Sequence, residues 1–187
     1  MRFAIGALAL IVAAPAAAQN VAVSQQIQFA GDAPSACVVG AARAGALQNA
    51  TVGATDTSSA SVQITELADP NTAVARPAVI RVSFAAICTA ANNVTVTSRN
   101  GGMRRVGAVA GATDPVGFTQ VAPYQLTVTW SGASASGASG ANTPLTLSAG
   151  QAVRGDLGLE LNFAGGGAPL VSGTYEDTVT VEVKVAG

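Results

Sequence analysis

The chain has 187 residues, of which 49% are hydrophobic, 10% charged and only 4% aromatic; nine Lys plus Arg stand against ten Asp plus Glu, for a formal net charge of -1. That balance lacks the basic excess that draws a protein to DNA or RNA, so nucleic acid is not an expected partner. There is no His, which excludes Ser-His-Asp and Cys-His triads, His-based zinc sites and the commonest general base near neutral pH.

Met1 and Arg2 open a run of apolar residues that ends Ala16-Ala17-Ala18 before Gln19. A basic start, an apolar middle and a small-residue cleavage site are the three parts of a secretory signal, so residues 1–18 read as a signal peptide. Setting them aside removes Arg2 and leaves 169 residues with eight cationic and ten acidic side chains, a charge of -2. No later stretch reaches the roughly 18 uninterrupted apolar residues of a spanning helix. The expectation is a soluble chain exported through the inner membrane, with residues 19–30 as an N-terminal segment and residues 31–187 as one domain.

Along that chain, Val21, Val23, Gln25, Ile27 and Phe29 share one side of an extended segment, and a first strand is expected over residues 27–37. Cys37 and Cys88 are the two cysteines. An even count in an oxidising compartment reads as one disulfide, because free reactive thiols would need an activating cation close by. Residues 38–77 are rich in Ala, Ser and Thr, with weak strand signals at 50–52 and 62–67. Ile80, Val82, Phe84, Ala86 and Cys88 then share a face, and Val94 and Val96 alternate with Thr. Tyr124, Leu126, Val128 and Trp130 repeat the pattern, as do Leu157, Leu159, Leu161 and Phe163. Residues 131–143, rich in Ser, Gly and Ala, read as a flexible loop or a long hairpin tip. The most regular run is residues 174–185, where Tyr175, Asp177, Val179, Val181, Val183 and Val185 alternate with polar residues as one half-buried strand.

Asn92-Asn93, Asn100-Gly101-Gly102, Ala149-Gly150 and Gly165-Gly166-Gly167 punctuate these runs as turns. No window shows sustained helical spacing. Six or more short strands without helices give an all-β antiparallel β-sandwich.

No catalytic constellation stands out, and neither an enzyme nor a cofactor or metal is expected. Asp177 reads as a cap or turn contact rather than a catalytic carboxylate. Glu176 and Glu182 fall on the solvated face. Tyr124 and Trp130 read as core residues before sugar-stacking platforms. Arg104-Arg105, with Arg99, reads as a solvated turn, with an acidic partner or lipopolysaccharide as the functional alternative.

Several segments together resemble the spore coat protein U domain family, which overlaps the pilin subunits of archaic chaperone-usher pili. They are a Cys soon after the first strand, a second strand ending in Cys88, and residues 94–103 leading into the Asn100-Gly101-Gly102 turn. The Tyr-and-Trp strand of residues 123–130 and the Gly-x-Tyr-x-Asp-x-Val-x-Val pattern of residues 173–181 follow in the same order. The resemblance implies an immunoglobulin-like sandwich lacking its last strand and completed by a donor strand from a neighbouring subunit. A periplasmic chaperone, an outer-membrane usher and neighbouring pilin subunits would be the partners, and the destination a cell-surface fimbrium serving adhesion or biofilm formation. It casts Val21, Val23, Ile27 and Phe29 as the donor, with Tyr175, Val179, Val181, Val183 and Val185 as the groove wall. Donor and first strand would then share residues 19–36, and the long interval between the cysteines places an insertion within residues 41–77. The competing expectation is a self-complete secreted sandwich that binds a glycan or other surface ligand through its loops.

Overall fold

The computed structural model describes residues 25–56, 59–140 and 143–187. Thirteen strands lie among them: β1 (Cys37–Gln48), β2 (Ala50–Thr55), β3 (Ala60–Ile64), β4 (Ala78–Cys88), β5 (Asn92–Ser98), β6 (Met103–Arg105), β7 (Val121–Ala122), β8 (Gln125–Trp130), β9 (Ala133–Ala138), β10 (Leu145–Ala149), β11 (Val153–Phe163), β12 (Tyr175–Glu176) and β13 (Val179–Val185). The described residues contain no helix. The chain divides into two compact units, residues 1–33 and 34–187. Of the first unit, residues 25–33 are described; they form no strand and expose Ile27 and Phe29.

All strand pairings are antiparallel. One sheet has the order β1-β4-β11-β8-β9 and a second β10-β5-β13, while β12-β6-β7 and the β2-β3 hairpin are smaller. Alternation decides which side chains meet. Ile80, Leu126, Val128, Trp130, Leu157, Leu159 and Phe163 from the first sheet and Val94 and Val96 from the second join one buried core. The fold is therefore an all-β sandwich, as the period-2 runs predicted. A lesser cluster of Ala122, Leu170 and Tyr175 lies under the third sheet.

Four local expectations are corrected. The first strand begins at Cys37 instead of ending there. Two register shifts, between Val39 and Ala42 and between Ala44 and Leu47, interrupt β1, so its small side chains show no continuous alternation. Residues 41–48 are thus part of β1, and the hairpin that follows packs Ala50, Val62 and Ile64 against the core.

Residues 131–143 are not a loop as a whole, because β9 pairs along β8 from Trp130↔Ala133 to Gln125↔Ala138. Ser131 and Gly132, at φ 54° and 77°, form the two-residue turn between them, a geometry whose twist matches that of the strands it joins. Asn92-Asn93 is the start of β5 and not a turn. Finally, the run over residues 174–185 is two strands. Tyr175 and Glu176 pair with Arg105 and Arg104 in the third sheet, and only Val179 to Val185 pair with β5. Tyr175 therefore leaves the proposed groove wall; it is buried beside Leu170 and donates its hydroxyl to Val171 O at 2.7 Å.

Candidate functional site

β13 is bound on one side only. It pairs with β5 from Val179↔Ser98 to Val185↔Asn92, and no strand among the described residues pairs with its other side. Two backbone bonds in the same register, Arg99 N to Thr178 O at 2.9 Å and Ala186 N to Ala91 O at 2.8 Å, set the phase of the ladder. Hydrogen-bonded pairs alternate in an antiparallel ladder, so the even-numbered residues of β13 face β5 with their backbone groups. The N–H and C=O groups of Val179, Val181, Val183 and Val185 consequently point to the open edge.

The same four residues turn their side chains inward and stay half-buried, although their cross-strand neighbours Val94 and Val96 are fully buried. Thr180, Glu182 and Lys184 are exposed, with Lys184 paired to Glu182 at 2.8 Å. An unpaired ladder and an unfilled apolar face thus coincide on one strand. At this end of the two sheets the facing edge is β1, whose Cα atoms come within 8 Å of those of β13, while β9 and β10 are the edges at the opposite end. Its two bulges and its Gly and Ala residues make β1 an irregular template, so of these two facing edges β13 offers the regular ladder.

Each end of this edge is braced. At its start, the chain crosses from the third sheet to the second at Asp177, whose carboxylate gathers four donors. It accepts from Ser98 Oγ at 2.6 Å, Tyr124 OH at 2.6 Å, Asn100 N at 2.9 Å and Thr178 N at 2.7 Å. Ser98 Oγ in turn accepts from Gly101 N at 2.9 Å. Burial first, and then the hydrogen bond to Asp177, push the Tyr124 phenol far above its usual value. Gly102 is required where it is: its φ is 133°, and a Cβ there would lie 2.9 Å from Ala122 O. Asp177 is a turn contact, as its position in the sequence suggested.

At the far end, Trp130 Nε1 donates to the buried Asn92 Oδ1 at 2.7 Å, and Asn92 Nδ2 donates to Ala90 O at 2.9 Å. Trp130 and Tyr124 are both core residues. The Cys37–Cys88 disulfide joins directly opposed residues of β1 and β4. Ahead of it, Ala36 N donates to Thr89 Oγ1 and Thr89 N to Ala36 O, both at 2.9 Å, which fixes where β1 begins.

The structure thus brings Val179, Val181, Val183 and Val185 together on one edge. Ile27 and Phe29 are exposed, while Val21 and Val23 lie outside the described residues. No cluster of metal-ligating residues occurs among the described residues. The described residues form, among others, an apolar cleft of about 350 Å³ beside Leu67, Phe163 and Leu170 and a cleft of about 290 Å³ lined by Arg99, Arg104 and Arg105. The sequence held the three arginines within seven positions but gave no sign that a turn would fold them onto one cleft. No family model matches the chain, and neither the curated proteins nor the solved structures contain a match to it.

Proposed function

We propose that the chain is a structural subunit of a secreted surface fibre, assembled by donor-strand complementation of an incomplete immunoglobulin-like sandwich. The observation that carries this reading is the coincidence on Val179, Val181, Val183 and Val185 of free backbone groups with half-buried side chains. A strand laid along that edge would pair with the four and cover them, which is recognition by β-strand addition. Because β1 and β13 approach within 8 Å, they would part slightly to admit a strand between them, since two strand spacings need roughly 9.6 Å.

The donor in this reading is the N-terminal segment of a neighbouring copy or a related subunit, through Val21, Val23, Ile27 and Phe29. The start of β1 at Cys37 supports it. Residues 19–36 no longer have to supply a first strand as well, and at about 3.3 Å per residue they reach roughly 60 Å, well beyond the ten or so residues that fill five alternate pockets. An exposed regular edge invites aggregation, so the subunit would need a periplasmic chaperone before an outer-membrane usher passes it to its neighbour. Adhesion or biofilm formation would be the fibre's task. The alternative of a self-complete sandwich binding a glycan through residues 131–143 loses support because residues 133–138 of that segment are strand β9, paired along β8.

A synthetic peptide of residues 19–29 tests the reading. Added to the purified chain, it should raise the unfolding temperature in a saturable way, while a peptide with Val21, Val23, Ile27 and Phe29 changed to Ser should not. A chain that unfolds at the same temperature with and without the peptide would overturn it.

A further inference from the structure

Three of the eight cationic side chains after residue 18 line a single cleft of about 290 Å³ beside the start of β13. Elsewhere Arg76, Arg81 and Lys184 are ion-paired with Glu66, Glu160 and Glu182. Arg99, Arg104 and Arg105 have no ion-pair partner among the described residues. The nearby Asp177 cannot serve them, because both of its oxygens are already taken by Ser98, Tyr124, Asn100 and Thr178. That leaves Glu176 as the other acid on the cleft wall, so positive charge is in excess there while the chain as a whole is acidic.

The cations are also partly fixed in place. Arg105 donates through Nε to Ser172 O at 2.9 Å and through Nη1 to Gln120 Oε1 at 3.3 Å. Arg104 Nη2 donates to Asn100 O at 3.1 Å, and Arg99 makes no side-chain hydrogen bond among the described residues. Gly173, at φ 150°, is packed so closely that a Cβ there would lie 2.9 Å from Arg105 Nε. Guanidinium groups with free N–H forks suit a tetrahedral oxyanion, which they bind through paired, charge-assisted hydrogen bonds.

From this geometry we infer that the cleft is a binding site for a phosphate monoester. Its volume accommodates the phosphate together with part of an attached sugar or headgroup. The phosphate has two possible sources, a soluble phosphorylated glycan and a phosphate-bearing lipid headgroup. None of the four valines of the open edge lines the cleft, so the inference does not rest on strand addition.

Calorimetric titration of the purified chain with glucose 1-phosphate, and cosedimentation with phosphatidic acid or phosphatidylcholine vesicles, test it. We expect saturable binding with one site per chain, weakened as salt rises and weakened about tenfold or more by Arg99→Gln or Arg104→Gln. Arg43→Gln, a change on β1, should leave it intact. Gly173→Ala should weaken it through displacement of Arg105. Binding of glucose 1-phosphate without retention on phosphatidic acid vesicles identifies a soluble glycan phosphate as the source, and selective retention on those vesicles a lipid headgroup. The inference fails if neither phosphate binds saturably, or if Arg99→Gln and Arg104→Gln, still folded by circular dichroism, bind as tightly as Arg43→Gln.

Discussion

Replacing Asp177 by Ala should destabilise the fold by about 4 kcal/mol. The carboxylate serves four donors, two of which are hydroxyls on the buried residues Ser98 and Tyr124. A hydrogen bond to a charged group contributes about 1.5–3 kcal/mol, and a buried donor left without a partner costs about 1–3 kcal/mol. Loss at the two hydroxyls alone comes to about 3 kcal/mol. The amides of Asn100 and Thr178 lie nearer solvent, where water replaces much of what is lost, and together add about 1 kcal/mol. At about 2–4 °C per kcal/mol for a domain of this size, the unfolding midpoint should fall by about 8–16 °C. Tyr124→Phe removes one of the donors and should cost less, about 1.5 kcal/mol. Because the two changes break a shared bond, the double variant should be more stable than additivity predicts by about 1 kcal/mol or more. Urea unfolding followed by Trp130 fluorescence measures all three. A cost below about 1 kcal/mol for Asp177→Ala, or strict additivity with Tyr124→Phe, would refute the view of Asp177 as the brace at the sheet crossing.

Changing Cys37 and Cys88 together to Ala should lower stability by about 4 kcal/mol in the chain-entropy view, since the bridge spans 51 positions; a urea midpoint unchanged by the double substitution would contradict this. Alkaline pH should destabilise the protein. The folded state holds the Tyr124 proton well past the usual value of 10.0, so above that pH the native state binds more protons than the unfolded chain and stability falls as pH rises. Tyr124→Phe should flatten that slope in pH-dependent melts, and an equally steep slope in the variant would show that another group is responsible. Trp130→Phe leaves the buried Asn92 Oδ1 without its donor and should cost about 1–3 kcal/mol beyond the change in packing, with Asn92→Leu in the same background recovering part of it.

The strands legible in the sequence are those with large side chains at every second position. β8 and β11 alternate Leu, Val, Trp and Phe with polar residues because one face is buried on the core, and burial is what period 2 reports. β1 escaped because its bulges break the period and two of its four less exposed positions, Gly40 and Ala42, carry little hydrophobic signal. β9, with the sequence ASASGA, escaped for the same reason, although Ser131-Gly132 was in the sequence as a turn signal. The break at Asp177 was hidden by the opposite effect: the alternation continues unbroken from Tyr175 to Val185 while the backbone changes sheets, since side-chain parity does not record which strand is the neighbour. The valines of the open edge were legible. That their outward backbone groups meet no strand among the described residues was not, because pairing is set by tertiary arrangement. Arg99, Arg104 and Arg105 were visible as a basic group, but their convergence on one cleft depends on the turn held by Asp177.

Amide hydrogen exchange along β13 tests the central claim most directly. In the isolated chain, the amides of Val179, Val181, Val183 and Val185 should exchange fast and those of Thr180, Glu182 and Lys184 slowly. On adding the peptide of residues 19–29, the four valine amides should become protected while the other three change little. Equal protection of odd and even positions in the isolated chain, or valine amides that exchange as fast with the peptide as without it, would contradict an edge waiting for a strand.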